Sequence, residues 1–159
     1  MSLAALNGPS TLRAYSEPLL TETNLELVKK IVPTGVEASL WQKILMHSSA
    51  INFDGTGESL FKVGDKPLGF YWVLSGRVKM EMDKGKPLVF TSGSMAGLSH
   101  FLKDQRHQQH LYTGSRAVRS LFIDQKCFQL FKTNQALQEL VKNEQKHFQE
   151  VFPNQLSDY

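Results

Sequence analysis

The stretch FKVGDKPLGFYWVLSGRVKMEM, residues 61–82, decides the fold, because strand periodicity and turn chemistry coincide in it. Residues 70–74 are a short run of aromatic and β-branched side chains, suited to a strand covered on both faces. Ser75-Gly76 breaks the run. From Arg77 the chain alternates: Val78, Met80 and Met82 point one way and Arg77, Lys79 and Glu81 the other, so one face is buried and one is wet. Asp83-Lys84-Gly85-Lys86 reads as a polar hairpin turn with Gly85 at positive φ, and residues 88–90 as the returning strand. Upstream, Gly64-Asp65-Lys66-Pro67 is a second turn, following a strand at 59–63. Short strands and tight turns in quick succession indicate an antiparallel β-roll or barrel.

The Gly64-Asp65 turn, the aromatic run ending in Leu74-Ser75-Gly76 and the alternating strand after it together resemble the cyclic nucleotide-binding domain family. That family includes bacterial cAMP receptor and FNR-like regulators, kinase regulatory subunits and gated channels. Gly93-Ser94-Met95-Ala96-Gly97 stands where the family has the glycine-led start of its phosphate-binding cassette, and Leu121-Phe122-Ile123 where its last roll strand falls. The resemblance covers residues 38–150. It implies a mainly β fold with flanking helices: a double-stranded antiparallel β-helix, or jelly roll, with N-terminal and C-terminal helices. Residues 1–21 are then a flexible N-terminal arm and 22–159 a single domain, with helices at 22–48, the roll at 50–124 and C-terminal helices at 125–152.

Composition narrows the function classes. A chain of 159 residues is one domain by length and can bury a real core. The 18 Lys and Arg against 15 Asp and Glu leave a net charge of only +3, scattered rather than striped, so no nucleic-acid footprint is visible. The single cysteine, Cys127, excludes an intrachain disulfide and fits a reducing cytoplasm. No apolar run approaches the ~20 residues that span a bilayer, and the start lacks the pattern of a signal peptide.

Along the chain, Gly8-Pro9-Ser10 and Pro18 interrupt a first segment without sustained periodicity. Thr23-Asn24 is expected to cap a helix whose Leu25, Val28, Ile31 and Val32 share a face, and Pro33-Thr34-Gly35 to end it. Val36, Leu40, Trp41, Ile44 and Leu45 have the spacing of a second helix, and residues 50–53 read as the first strand. After a short helix at 125–132, Thr133 or Asn134 is expected to cap a longer one. Its apolar stripe runs through Leu137, Leu140, Val141, Phe148 and Val151, is interrupted by Glu144, and ends at Pro153.

The resemblance places ligand chemistry in residues 93–118. In the family, backbone amides, a glutamate directly after the glycine and an arginine before the next strand hold the ribose hydroxyl and the cyclic phosphate. Gly97 matches the glycine, but Leu98 stands at the glutamate position and Gln108 or Gln109 at the arginine position, with Arg106 nearby as a substitute. A hydrogen bond to a charged group contributes ~1.5–3 kcal/mol, so losing two would weaken binding on the order of a hundredfold to ten-thousandfold if they add. The candidate ligand-binding residues are Gly97, Leu98, Ser99, Arg106, Gln108, Gln109, His110, Leu111 and Tyr112. Ordinary cAMP or cGMP binding is not expected; the pocket is expected to be empty, to hold an unidentified small molecule, or to be filled by side chains such as Leu98, Leu111 and Tyr112.

Other chemistry is thin. His100, His107 and His110 fall in one stretch without a carboxylate at ligand spacing, and are expected to be surface-loop residues rather than a metal site; His47 and His147 are expected to face solvent or flank an interface. Cys127, at a helix start, is read as a small half-buried residue. No catalytic serine, histidine and aspartate order, paired-carboxylate motif or Walker-type loop appears, so no catalytic residue, metal or definite cofactor is assigned. The chain is expected to be a non-enzymatic sensory or regulatory module in signal transduction, such as a transcription regulator effector domain. Leu137, Leu140, Val141 and Phe148 would form a lid over the ligand, or pair with a second copy in a homodimer. Neither membrane contact nor DNA binding by this chain alone is expected, since too few residues follow the last helix for a winged helix-turn-helix. The alternatives are a nucleotide-independent protein-interaction module and, more distantly, a cupin-like metal-binding enzyme.

Overall fold

The computed structural model describes residues 14–16 and 22–152. It contains nine strands and five helices among these residues: β1 (Ala14–Ser16), α1 (Glu22–Ile31), α2 (Ala38–His47), β2 (Ser49–Phe53), β3 (Ser59–Phe61), β4 (Gly69–Ser75), β5 (Val78–Met80), β6 (Leu88–Phe90), β7 (Met95–Ala96), α3 (Leu98–Lys103), β8 (Leu111–Thr113), β9 (Val118–Asp124), α4 (Gln125–Phe131) and α5 (Gln135–Val151). The strands form two antiparallel sheets, of order β1-β2-β9-β4-β7 and β3-β8-β5-β6. This is the expected roll with helices on both flanks.

The aromatic run of β4 is buried on both faces because it lies between two cores. Phe70, Trp72 and Leu74 point toward the helices, where they meet Val28, Ile44, Phe128 and Phe131. Tyr71 and Val73 point between the sheets, toward Phe53, Phe61, Val78 and Val118. Period-2 alternation thus serves two hydrophobic clusters at once. The β5–β6 hairpin pairs Val78 with Phe90 and turns through Gly85 at φ +83°. Gly76, at φ +89°, packs so close to Val118 that a Cβ would come within 2.9 Å of its Cγ2.

Several boundaries differ from the sequence reading. Ala14–Ser16, within the expected arm, pairs with β2 in register; the remainder of that arm and the stop at Pro153 lie outside the described residues. Thr23-Asn24 is inside α1, which begins at Glu22, so Asn24 does not cap it. The strand at 59–63 ends at Phe61 and leaves Val63 exposed, and the strand from Arg77 is only Val78–Met80. At the other end Asn134 does cap α5, accepting from the Leu137 amide at 3.1 Å, and Asp124 caps α4 by accepting from the Cys127 amide at 2.9 Å. Cys127 is fully rather than half buried, its Sγ facing the Ile44 carbonyl at 3.5 Å, and burial pushes its thiol up to about 12.

α5 spans both cores. Its first half sends Leu137 and Val141 into the helix-side cluster, while Phe148, with Phe152 just beyond the helix, enters the cluster between the sheets.

Candidate functional site

The candidate cassette runs from β7 through Gly97 and α3 to the loop before β8. Gly97 is at φ +90°, and a Cβ there would lie 2.7 Å from Phe61 Cε2 and 3.2 Å from His107 Cε1. Only glycine lets the chain turn this close to those rings. Leu98, which the resemblance sets where a glutamate is expected, is buried in the helix-side core, and Ser99 is buried beside it. The peptide therefore turns an apolar side chain into packing where the resemblance has a carboxylate.

The segment leading into β8 alternates between inside and outside. His107, Gln109, Leu111 and Thr113 are buried, whereas Arg106 and Gln108 are exposed and His110 and Tyr112 half-buried. Arg106 Nη1 donates to the Gly64 carbonyl at 2.8 Å on the outer surface, fixing the Gly64-Asp65 turn from outside. His110 lies 3.1 Å from Ser59 Oγ and 3.7 Å from a Glu81 carboxylate oxygen, and its ring centroid is 5.4 Å from that of Tyr112. The nine candidate residues thus separate into an inner group, Gly97, Leu98, Ser99, Gln109 and Leu111, and an outer group, Arg106, Gln108, His110 and Tyr112. Tyr112 does not fill the interior; Leu98 and Leu111 are buried in the two cores.

What fills the space facing Gly97 is a set of rings. His107 stacks on Phe61 with centroids 3.8 Å apart and planes 18° from parallel. His100 lies 5.2 Å from His107 and meets Phe148 of α5 edge-on at 5.5 Å, and Phe148 stacks on Phe152 at 4.6 Å. The surface-loop reading of His100 and His107 is therefore corrected: they are 0% and 4% exposed, because α3 and the following loop turn inward beneath α5. Burial lowers both imidazoles from 6.5 to about 4; His100 adds to the effect on His107, and Asp65 opposes it. Neither ring nitrogen of His100, nor His107 Nε2, nor Gln109 Oε1, has a hydrogen-bond partner among the described residues. His47 and His147 are exposed, as expected.

α5 closes the cassette from above. Between Gly97, Ser99, Phe90, Glu144 and Phe148 there remains a gap of about 10 Å³, room for one water. Glu144, the break in the apolar stripe, is drawn toward the cassette: burial raises its carboxyl, and the Met95 amide and His147 pull it back. Among the described residues no lysine or arginine side chain is buried, and no three His, Cys, Asp or Glu side chains gather as metal ligands. No helix among them is long and apolar enough to cross a membrane.

No family model matches the chain, and no curated protein matches it in sequence. Solved structures do match, on the two-sheet roll and its flanking helices. The fold is that of the cyclic nucleotide-binding domains. A variant of the cAMP-binding acyltransferase from Mycobacterium smegmatis superposes with a TM-score of 0.63 at 17% identity, covering 83% of this chain and 43% of that one. The sensor domain of the transcriptional regulator DNR from Pseudomonas aeruginosa gives 0.60 at 18% identity, over 82% of this chain and 94% of its own. The regulatory subunit of a cAMP-independent protein kinase A from Trypanosoma brucei gives 0.62 at 18% identity, over 81% of this chain and 45% of that one. The chain thus spans under half the length of the acyltransferase and the kinase subunit. Within this fold the Gly64-Asp65 turn lies between β3 and β4 and Gly76 between β4 and β5. The ring cluster was not legible in the sequence: Phe61, His100 and His107 carry no pattern that sets them apart, and residues 107–113, HQQHLYT, show no alternation of apolar and polar side chains.

Proposed function

We propose that this chain is a non-catalytic sensory or regulatory module that does not take cAMP or cGMP in the usual way. The observation that carries it is the closure of the roll interior by Phe61, His107, His100 and Phe148, with no buried cation among the described residues to meet a phosphate. A cyclic nucleotide would have to displace these rings and leave its negative charge without a partner, which low-dielectric surroundings penalise heavily. Independence from cAMP has a precedent on this fold in the kinase to which the Trypanosoma brucei subunit belongs.

The working part is α5. It touches both cores and covers the cassette, so a ligand or partner that favours its displacement shifts the population between closed and open arrangements, which an attached domain or second protein reads. Burial of Leu137, Val141 and Phe148 within the chain supports the lid over pairing of this stripe in a homodimer. A groove between α4 and α5, lined by Phe128, Phe131 and Val141 with Lys132 and Lys142 at its rim, favours the second reading, a protein-interaction module. In the first reading the module binds a small molecule, not DNA, and works in the cytoplasm, where its single thiol stays reduced. Hydrogen exchange distinguishes a lid from a fixed helix. A lid gives α5 amides that open at lower free energy than those of β4 and β9, whereas exchange of α5 only through global unfolding would rule the lid out.

A further inference from the structure

We propose that the slot between α4 and α5 is a docking site for an acidic segment of a partner protein, which inserts one aromatic side chain and sets carboxylates against Lys132 and Lys142. This rests on the second reading above, a protein-interaction module, and names the chemistry of the partner.

Helical spacing builds the slot. On α4, Phe128 and Phe131 stand three residues apart and Lys132 follows at the helix end; on α5, Gln138, Val141 and Lys142 repeat the spacing. Residues three and four apart share a helix face, so each helix presents an apolar side chain followed by a lysine to the space between them. Phe128, Phe131 and Val141 are 6%, 1% and 9% exposed, and the two rings lie 5.6 Å apart with planes 27° from parallel. Phe131 also packs on Trp72 of β4 at 5.3 Å. The floor is thus part of the helix-side core and is held in place from below. At the rim, Gln138 Nε2 donates to the Lys132 carbonyl at 2.5 Å and ties the two helices together.

Size and charge choose the occupant. The slot encloses about 190 Å³, and an apolar cavity of about 150 Å³ already takes a benzene ring. It has room for one phenyl-sized side chain and not for two. No carboxylate lines it, whereas Lys132 and Lys142, both exposed, do. Lys132 Nζ lies 5.6 Å from the centroid of the Phe128 ring, which holds positive charge against the aromatic wall. Residues 125–143 carry Lys126, Lys132 and Lys142 against Glu139 alone, so the surroundings of the slot attract acidic segments and repel basic ones. One lysine on each helix puts positive charge on both sides of the inserted ring, which asks for Asp or Glu on both sides of it in the partner. A single buried anchor with charged flanks is the makeup of a small, transient interface.

The test uses three short capped peptides, DEFDE, DEADE and KKFKK, with the methyl resonances of Val141 as reporter. DEFDE should move them and saturate at sub-millimolar concentration. DEADE should need at least about tenfold more, because it lacks the side chain that the slot buries. KKFKK should leave them unmoved. Reversing the charge at two exposed sites, Lys132→Glu with Lys142→Glu, should weaken DEFDE about tenfold and let KKFKK bind, an exchange that a merely structural role for these lysines would not produce. Thermal melts check that this variant folds; if it does not, raised salt decides on the unaltered chain, where DEFDE should weaken as its charges are screened. Equal movement by DEFDE and KKFKK, or no weakening by salt, would keep a protein-docking slot but overturn its acidic partner. Movement by phenylacetate at the concentration DEFDE needs would make the slot a site for a small acid and overturn the docking proposal. Val141 resonances unmoved by all three peptides at millimolar concentration would remove the slot as a docking site and, with it, the protein-interaction reading.

Discussion

His100 and His107 carry the sharpest consequence at the scale of single residues. Each is held near 4 in the folded chain against 6.5 when free, because burial removes water from the charged form. Above the free value both states are neutral and the full stability is present. As pH falls from about 6.5 toward 4 the unfolded chain takes up protons first, so stability is lost through that window and not below it. At pH 5 the loss is on the order of 2 kcal/mol per imidazole. Glu144, raised by burial, works in the opposite direction at the acid end of the window. Urea melts at pH 7.5 and pH 5 check this, and an unchanged midpoint would mean that the two rings are solvated. Gly97→Ala is the second test at this scale. With φ at +90° and Phe61 2.7 Å from the added carbon, it should cost about 1–3 kcal/mol in the same melts. The turn glycines 64, 76 and 85 were readable from sequence because positive φ is a local requirement. Burial of the two histidines was not, since it depends on which way an irregular loop faces.

At the scale of elements, α5 is the part whose sequence said most and least. Its cap and stripe follow from local spacing: Asn134 accepts from the Leu137 amide as a cap should, and Asn134→Ala is expected to cost about 1 kcal/mol by thermal melts. If the change is neutral, the N-terminus of α5 is held by packing alone. The stripe did not reveal that Leu137 and Val141 enter one core while Phe148 enters another. That division depends on where the roll ends beneath the helix. Similar limits explain the strands. β4, β5 and β6 announce themselves by an aromatic run, an alternation that continues past the strand end and a glycine turn, whereas β1 and β7 lie in stretches that carry no such periodicity. Both exist because a neighbouring strand offers them a free edge, which is a property of the sheet and not of their own residues. α3 is short for a local reason: Gly97 starts it and Asp104, at φ +50°, stops it after six residues.

For the whole molecule, two hydrophobic cores on either side of one sheet set the architecture, and they need only apolar residues at the right period. This is why the roll was legible in a chain that shares 17–20% identity with its structural neighbours. Ligand choice needs specific side chains at a few positions, and there the chain goes its own way, with Leu98 in a core, Arg106 outside and rings in the interior. The most direct measurement is therefore thermal unfolding with cAMP and cGMP. A ligand at a hundred times its dissociation constant stabilises by about 2.7 kcal/mol, a clear shift for a domain of this size. The account predicts no shift with either nucleotide up to millimolar concentration in protein that melts cooperatively. A shift at micromolar cAMP or cGMP would show that the interior opens and finds a partner for phosphate, and would contradict the claim that the roll is closed by its own side chains.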